Sequence, residues 1–219
     1  MSKKHRSEHK IVDDALNLDG QPEHVQQFYD DWAENYEKDV DDIAYAGPSI
    51  ISGLVDKHAV HFGQQDRANL RVLDAGCGTG LAGKELHGNG FREIHGFDLS
   101  PEMAARAASS GFYQSAAGGI DLMKAEDHFE GESFDIIVSV GVFTLGHVPP
   151  EALEVLARLV RPGGLLVLST RIEYYDETNY RQVAAGLIER GQMRLVDQLE
   201  HANYTSDGSG HFWVYQISR

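Results

Sequence analysis

The first third of the chain alternates apolar and polar positions with a helical period. Over Pro22–Val40, apolar and aromatic side chains recur at steps of three and four residues, and acidic residues occupy the other side. Gly47 and Pro48 interrupt this pattern, and a second amphipathic stretch follows over Ser49–His61. We therefore predict two helices ahead of the main fold.

From Leu70 the pattern changes to short apolar runs that alternate with helical stretches, which indicates βαβ units and a mostly parallel sheet. The predicted strands are Leu70–Ala75, Glu93–Asp98, Gly119–Met123, Phe134–Val140 and Leu165–Thr170. The predicted helices between them are Leu81–His87, Glu102–Ser109 and Pro150–Val160.

The last part of the chain departs from this alternation. A helical pattern over Asn179–Arg190 stops at Gly191, and two strand patterns follow over Arg194–His201 and His211–Ser218. The turn-rich segment between them predicts an antiparallel pair at the sheet edge. With no repeat or linker in sight, we expect residues 21–219 to form one domain and residues 1–20 to be a frayed or disordered terminus.

The segment after the first predicted strand carries the most specific chemistry. Gly76, Gly78 and Gly80 alternate between a strand and a helix, and glycines allow the backbone to turn sharply and approach a ligand closely. Asp98 ends the next strand, about twenty residues after the glycines, where a carboxylate binds ribose hydroxyls in nucleotide-binding βαβ units. Together they predict a cofactor that contains adenosine.

The position of Asp74 bears on which adenosine cofactor binds. The run Gly78–Gly83 matches the GxGxxG pattern of dinucleotide-binding proteins, and an NAD-dependent oxidoreductase is one alternative. However, Asp74 stands at the strand end, two residues before Gly76, where it would repel an anionic pyrophosphate. A zwitterionic amino acid would suit that position because its ammonium group could be held there.

These motifs identify a family resemblance. Val72–Gly80 resembles motif I of the class I S-adenosylmethionine (SAM)-dependent methyltransferases, and Asp98 matches that family's ribose-binding acid. Phe134–Val138 resembles the family's fourth strand, and Arg161–Leu165 the turn before its fifth. The resemblance covers Leu70 to Thr170. It implies methyl transfer from SAM, with S-adenosylhomocysteine (SAH) as product.

The family also implies a fold. It is a doubly wound, Rossmann-like α/β domain with a seven-stranded, mostly parallel sheet, an antiparallel last strand and helices on both faces. The helices within residues 21–66 would form an N-terminal lid over the cofactor. A narrower resemblance, to the Williams–Beuren syndrome region methyltransferase-like group, rests on the motif Tyr29–Tyr36, on Gly141–Pro149 and on Thr170–Arg171.

The resemblance assigns candidate roles to individual residues. Asp98 would bind the ribose, Leu99 and Met103 would flank the adenine, and Asp121 would bind its amino group. His147 is the candidate general base, and Tyr174 and Tyr175 are candidates for the acceptor pocket. Trp32 is interpreted as packing. The full set of predicted cofactor-binding residues is Asp74, Gly76, Cys77, Gly78, Gly80, Asp98, Leu99, Met103, Asp121, Leu122, Val140, Tyr29 and Tyr36.

The composition limits the classes of partner that we expect for this chain. The formal net charge of −15 disfavours nucleic acid, whose binding needs cations to displace counterions from phosphates, so we expect a small-molecule acceptor. Cys77 is the single cysteine, which excludes an internal disulfide and fits a reducing, cytoplasmic location, and no spacing of histidines predicts a metal. No apolar run predicts a membrane span. A SAM- or SAH-binding partner protein or sensor without catalysis remains an alternative.

Overall fold

A seven-stranded sheet lies at the centre of the computed structural model, which describes residues 10–63, 66–206 and 208–218. The strand order is β3-β2-β1-β4-β5-β7-β6. Strand β7 is antiparallel to both of its neighbours, and the other pairs are parallel, as the fold prediction requires. The strands are β1 (Arg71–Ala75), β2 (Glu93–Phe97), β3 (Ser115–Ala117), β4 (Phe134–Phe143), β5 (Val160–Arg171), β6 (Met193–Asn203) and β7 (Ser209–Ile217).

Helices cover both faces of this sheet, and each face encloses its own apolar cluster. The helices are α1 (Lys10–Ala15), α2 (Pro22–Trp32), α3 (Tyr36–Asp42), α4 (Gly47–His58), α5 (Leu81–Gly88), α6 (Pro101–Ser109), α7 (Ala152–Leu159), α8 (Ile172–Glu177) and α9 (Tyr180–Glu189). One cluster includes side chains of α4 and α5, and the other includes side chains of α7 and α9. Because both faces are covered, β1, β4 and β5 read as nearly continuous buried runs instead of alternating ones.

The predicted helix Pro22–Val40 is two helices. Residues 33–35 form a turn in which the Asn35 amide donates to the Trp32 carbonyl oxygen at 3.0 Å, and α3 then begins at Tyr36. The bend sets the Tyr36 ring edge-on against Trp32, with centroids 4.8 Å apart, while the Trp32 indole donates to Asp39 at 2.8 Å. The period was correct, but a local turn divides the helix.

The third strand was predicted at the wrong place. It is short and lies earlier, at Ser115–Ala117, and the predicted Gly119–Met123 instead leads into a 3₁₀ helix over Leu122–Asp127. Gly119 has a φ of +74°, which a strand does not accommodate. Asp121 then caps the 3₁₀ helix by accepting from the Met123 amide at 2.9 Å.

The prediction of a frayed terminus over residues 1–20 extends too far. Residues 1–9 lie outside the described part of the chain, but α1 is helical and its Ala15 is buried against Trp32 and Val40. Ile11 and Val12 pack against the same cluster. This segment is ordered because its apolar side chains cover the aromatic stripe of the lid.

Strand order reverses between β1 and β4, so the carboxyl ends of these strands open a crevice where doubly wound sheets bind ligands. Helices α1 to α3, called here the lid, lie over this edge, whereas α4, which was predicted to belong to the lid, packs with α5 against one face of the sheet. None of the helices in the described ranges combines the length and apolarity of a membrane span.

Candidate functional site

The loop after β1 is fixed by backbone geometry that glycine alone adopts easily. Gly76, Gly78 and Gly80 have φ angles of +77°, +53° and +102°. The Gly76 amide donates to the Phe97 carbonyl oxygen at 2.9 Å, which ties the loop to the end of β2. A Cβ at Gly76 would lie 2.3 Å from Val142 Cγ2, so the loop also passes close to β4.

Asp98 joins this loop to the start of α6. Its Oδ2 accepts from the Gly78 amide at 2.8 Å and its Oδ1 from the Ser100 amide at 2.9 Å. Burial raises the pKa of this carboxyl to about 6, although the backbone hydrogen bonds from Ser100 and Gly78 oppose the shift. A carboxylate offers about four lone-pair sites, so each oxygen can accept a further hydrogen bond from a ligand.

The space in front of Gly76, Gly78 and Asp98 is called here the sheet-edge cavity. It measures about 820 Å³, which includes space open to solvent. Apolar side chains from α6 and from the segment after β3 form one wall, and the lid forms another. Its lining residues are Pro22, Val25, Tyr29, Tyr36, Gly76, Gly78, Phe97, Asp98, Leu99, Ser100, Met103, Ile120, Asp121, Leu122, Val140, Gly141, Val142, His147 and Val148.

Three predicted cofactor-binding residues do not line this cavity. Cys77 is buried beneath the loop, where a Cβ on Gly96 would touch its side chain at 3.0 Å, and burial raises the pKa of its thiol. Gly80 is the N-cap residue before α5 and packs close to Ala107, so that it shapes the turn from behind.

Asp74 is the third, and its surroundings differ from the prediction. The side chain is fully buried, its Oδ2 accepts from the Tyr113 hydroxyl at 2.6 Å, and its Oδ1 has no hydrogen-bond partner among the residues that the structure describes. Burial raises its pKa to about 7. Tyr113 also accepts from the Gly83 amide at 3.0 Å. Asp74 is therefore bound to Tyr113 within the protein and does not line the sheet-edge cavity.

His147 lies at the other end of the cavity, in contact with the lid. Its Nδ1 lies 3.0 Å from the Leu145 carbonyl oxygen, and its Nε2 lies 2.8 Å from the Tyr29 hydroxyl. A carbonyl can only accept, so Nδ1 carries the proton and Nε2 accepts from Tyr29. Burial lowers the pKa of His147, which favours this neutral form. The unprotonated nitrogen of the candidate base, Nε2, therefore faces the lid.

The lid is also attached to the Asp98 side of the site through Asp30, which the sequence analysis did not single out as a site residue. Its Oδ1 accepts from the Ser100 hydroxyl at 2.5 Å and from the Glu102 amide at 3.3 Å. The negative charge of Asp30 contributes to the raised pKa of Asp98. Its position inside the Tyr29–Tyr36 motif was the signal available in the sequence.

A second space, called here the lid cavity, lies between the lid and the ends of β4 and β5 and measures about 490 Å³, which includes space open to solvent. It shares Tyr29, Tyr36, Gly141 and His147 with the sheet-edge cavity. The remaining lining residues are Val12, Ala15, Leu16, Trp32, Val40, Ile43, Tyr45, Thr144, Arg171, Tyr204 and Thr205. Trp32, interpreted from sequence as packing, therefore also contributes to a cavity wall.

Neither of the tyrosines proposed for the acceptor pocket lines these two cavities. Tyr174 is buried in the core under α7 and donates to the Val148 carbonyl oxygen at 3.0 Å. Tyr175 packs beside Trp213, with ring centroids 5.2 Å apart. Besides Tyr29 and Tyr36, the tyrosines that line the lid cavity are Tyr45 and Tyr204.

Comparison with known proteins adds independent information. The family described as a methyltransferase domain matches residues 50–218. Human methyltransferase-like protein 27 is 33% identical over 185 residues, which cover 84% of this chain and 69% of that protein. A ubiquinone biosynthesis O-methyltransferase of Thiobacillus denitrificans is 37% identical over 108 residues, 47% of this chain and 45% of that enzyme.

Solved structures share the fold. Magnesium protoporphyrin IX methyltransferase from Synechocystis PCC 6803, with bound SAM, superposes with a TM-score of 0.57 at 21% identity, covering 78% of this chain and 79% of the other. This likeness concerns the fold alone, whereas the human protein matches along most of both sequences.

Proposed function

Since the chain belongs to the class I SAM-dependent methyltransferases, we propose that it methylates a hydroxyl oxygen of a small molecule held in the lid cavity. It is an enzyme that takes its methyl group from SAM and releases SAH. The observation that carries the proposal is the pair of adjoining cavities, which meet at Tyr29, Tyr36, Gly141 and His147. A donor in one and an acceptor in the other would meet at that wall.

The residues of the sheet-edge cavity fit SAM. Gly76 and Gly78 bring bare backbone to the part of the cavity that would receive the amino-acid portion of SAM. Asp98 retains lone pairs for the ribose hydroxyls beyond its two backbone contacts. Leu99 and Met103 supply apolar walls for the adenine, and Asp121 lies beside them to accept from its amino group.

When bound, SAM supplies a sulfonium methyl group that is already activated for transfer. The protein therefore has to align the acceptor and exclude water, and alignment alone can lower a barrier by about 7–11 kcal/mol. Tyr29 and Tyr36 of the lid lie at the junction of the two cavities, and Trp32 packs against both of their rings. A weak catalytic signature in the sequence is expected for such a reaction.

A hydroxyl acceptor must lose its proton as the methyl group arrives, and the Tyr29–His147 pair is suited to take it. The Tyr29 oxygen can accept from the acceptor hydroxyl while it donates its own proton to His147 Nε2. His147 Nδ1 stays bonded to the Leu145 carbonyl, which stabilises the imidazolium that forms. This need for a base favours oxygen over an unprotonated nitrogen acceptor.

Charge and cysteine content support two further parts of the proposal. The net charge of −15 argues for a small molecule over a nucleic acid as acceptor. The single cysteine, buried as a free thiol, supports a cytoplasmic site of action. Fractionation of cells that produce a tagged protein would test the location.

Calorimetric titration with SAM and SAH tests the cofactor site. We expect Asp98→Ala to weaken SAH binding about 100-fold, because hydrogen bonds to a charged group contribute about 1.5–3 kcal/mol each. The exposed Asp127, on the 3₁₀ helix after β3, provides the control variant Asp127→Ala. Failure of SAH to bind the wild-type protein, with binding of NADH instead, would contradict the assignment of the cavity.

Turnover of a panel of small phenols and alcohols with labelled SAM tests the reaction. We expect His147→Gln to lower kcat about 100-fold, the lower range for general-base catalysis, without a change in SAH affinity. Tight SAH binding with no turnover of any acceptor would favour a non-catalytic SAM-binding protein. Methylation of proteins but of no small molecule would overturn the proposed acceptor class.

A further inference from the structure

The lining of the lid cavity differs in charge from the rest of this acidic protein. The chain contains 34 acidic residues against 19 lysines and arginines, yet no carboxylate is found among the described residues that line the cavity. Arg171 is the one side chain of permanent charge in that described lining. On the lid side, the cavity has an apolar wall that includes Val12, Val40 and Ile43.

Arg171 ends β5 and lies at the floor of this cavity. Its side chain is only 12% exposed, and its guanidinium carbon lies 5.6 Å from the centre of the Tyr204 ring. Its Nε is buried and has no hydrogen-bond partner among the described residues. Among the described residues, Arg171 has an ion-pair contact with Glu173. The Glu173 Oε2 lies 3.7 Å from Arg171 Nε, which is too far for a hydrogen bond, and the Glu173 side chain is 57% exposed.

A buried guanidinium with an unfilled donor is energetically unfavourable unless an anion completes it. The hydroxyls of Tyr45 and Tyr204 lie 3.3 Å apart, and both residues line the same cavity. Tyr204 also bonds Ser169 at 3.1 Å, and Ser169 accepts from the Gly141 amide at 3.2 Å. This network holds the polar floor in place between Arg171 and the wall shared with the sheet-edge cavity.

We propose that the methyl acceptor is a small amphipathic acid whose carboxylate binds Arg171. This inference rests on the proposed function, since it names the acceptor for the same site. The carboxylate pairs with the Arg171 guanidinium, and the apolar body lies against the lid wall. The hydroxyl to be methylated then lies at the far end of the molecule, at Tyr29 and His147.

A carboxylate fits better than a phosphate. Arginine binds either group through two parallel hydrogen bonds, but a phosphate brings close to two negative charges. In the described lining of this cavity Arg171 is the single permanent cation, and the hydroxyls of Tyr45, Tyr204 and Thr144 are neutral. The overall charge of −15 further disfavours a dianion.

The test compares two probes that differ only in charge, para-hydroxyphenylpropanoate and its primary amide. Each is titrated into protein saturated with SAH, so that binding is measured without turnover. We expect the carboxylate to bind the wild-type protein about 10- to 100-fold more tightly than the amide, as for a charge-assisted hydrogen-bonded pair.

Two variants assign this preference to one side chain. Arg171→Met keeps the length and removes the charge, and we expect it to abolish the preference while leaving SAH affinity unchanged. The matched control is Arg181→Met, because Arg181 also stacks on a tyrosine, Tyr175 at 4.2 Å, but is exposed outside the cavity. Arg171→Lys retains the charge and should keep part of the preference.

The outcomes separate this inference from the proposed function. Equal binding of acid and amide, no saturable binding of the acid, or a preference that survives in Arg171→Met would each overturn the carboxylate site, provided that SAH binds. If SAH itself does not bind the wild-type protein, the proposed function fails instead. Unchanged SAH affinity in Arg171→Met shows that the variant is folded.

Discussion

The two cavities of this site are built by different means. The sheet-edge cavity is shaped by backbone: glycines with positive φ, amides bound to Asp98, and strand ends held by the sheet. The lid cavity is shaped by side chains from distant parts of the chain, with α1 to α3 on one side and Arg171 and Tyr204 on the other. A cavity defined by backbone suits a ligand shared by a whole family, whereas side chains can change with the acceptor.

The largest effect should come from breaking the backbone-defined side at Gly76. We expect Gly76→Ala to lower the free energy of unfolding by about 2–4 kcal/mol, from left-handed strain together with overpacking. The new Cβ would lie 2.3 Å from Val142 Cγ2 and push that side chain into the sheet-edge cavity. Urea denaturation and SAH titration would show the loss of both stability and binding.

A matched glycine separates strain from crowding. Gly90 has a φ of +95°, and a Cβ added there would have no neighbour within 4 Å, so Gly90→Ala should cost only about 1–2 kcal/mol and leave SAH binding intact. Adding Val142→Ala to Gly76→Ala should recover the crowding part. Equal costs for the two single variants would argue against a close approach of the loop to β4.

Much of the backbone-defined side could be predicted because its signals are contiguous. The glycines, Asp98 and their spacing lie within one βαβ unit, and the predicted strand and helix of that unit match the fold. The sequence could not show that Tyr113, which lies far along the chain, binds Asp74 from behind, since that contact depends on where α6 and β3 place the ring.

Local sequence patterns did not predict most of the lid cavity, which is shaped by side chains. Arg171 and Asp30 stood in segments that resembled a known group, but neither was assigned a role, because burial and an unfilled donor are properties of the folded chain. The helix period gave the aromatic stripe correctly, yet not the turn at residues 33–35. Weak strand patterns such as β3 fail because neighbouring glycines and a cap decide the conformation.

A second prediction asks whether Asp74 belongs to the backbone scaffold or to the ligand. Its folded pKa of about 7 lies above the ordinary 3.8, so its contribution to stability is fully present below 3.8 and is lost as pH rises through about 7. Relative to Asp74→Asn, the wild-type protein should lose up to about 1.4 kcal/mol per pH unit in that interval. Denaturation from pH 4 to 8 measures the difference.

Tyr113→Phe provides the companion variant. Its hydroxyl lowers the pKa of Asp74, so its removal should shift the loss of stability to higher pH. Asp74→Asn should leave SAH affinity within about threefold of wild type, because that side chain does not line the cavity. A loss of SAH binding comparable to that of Asp98→Ala would indicate that Asp74 contributes to cofactor binding after all.

The smallest expected effect concerns Asp30, where the two sides of the site are joined. Asp30→Ala removes the contacts to the Ser100 hydroxyl and the Glu102 amide, each contributing about 0.5–1.5 kcal/mol. If the lid retains the cofactor, SAH should dissociate about five- to tenfold faster, as measured by stopped-flow.

The neighbouring Asp31 supplies the control, since its partner is Gln27 on the same helix. Asp31→Ala should leave the dissociation rate of SAH unchanged. Beside burial, the charge of Asp30 helps to hold the pKa of Asp98 at about 6, and protonation of Asp98 would weaken the hydrogen bonds that we propose it accepts from the ribose hydroxyls. SAH affinity should therefore fall below about pH 6 in the wild-type protein and at a lower pH in Asp30→Ala.

Equal behaviour of the Asp30 and Asp31 variants would mean that the lid and the backbone-defined side act independently, and that the contact to Ser100 only positions α2.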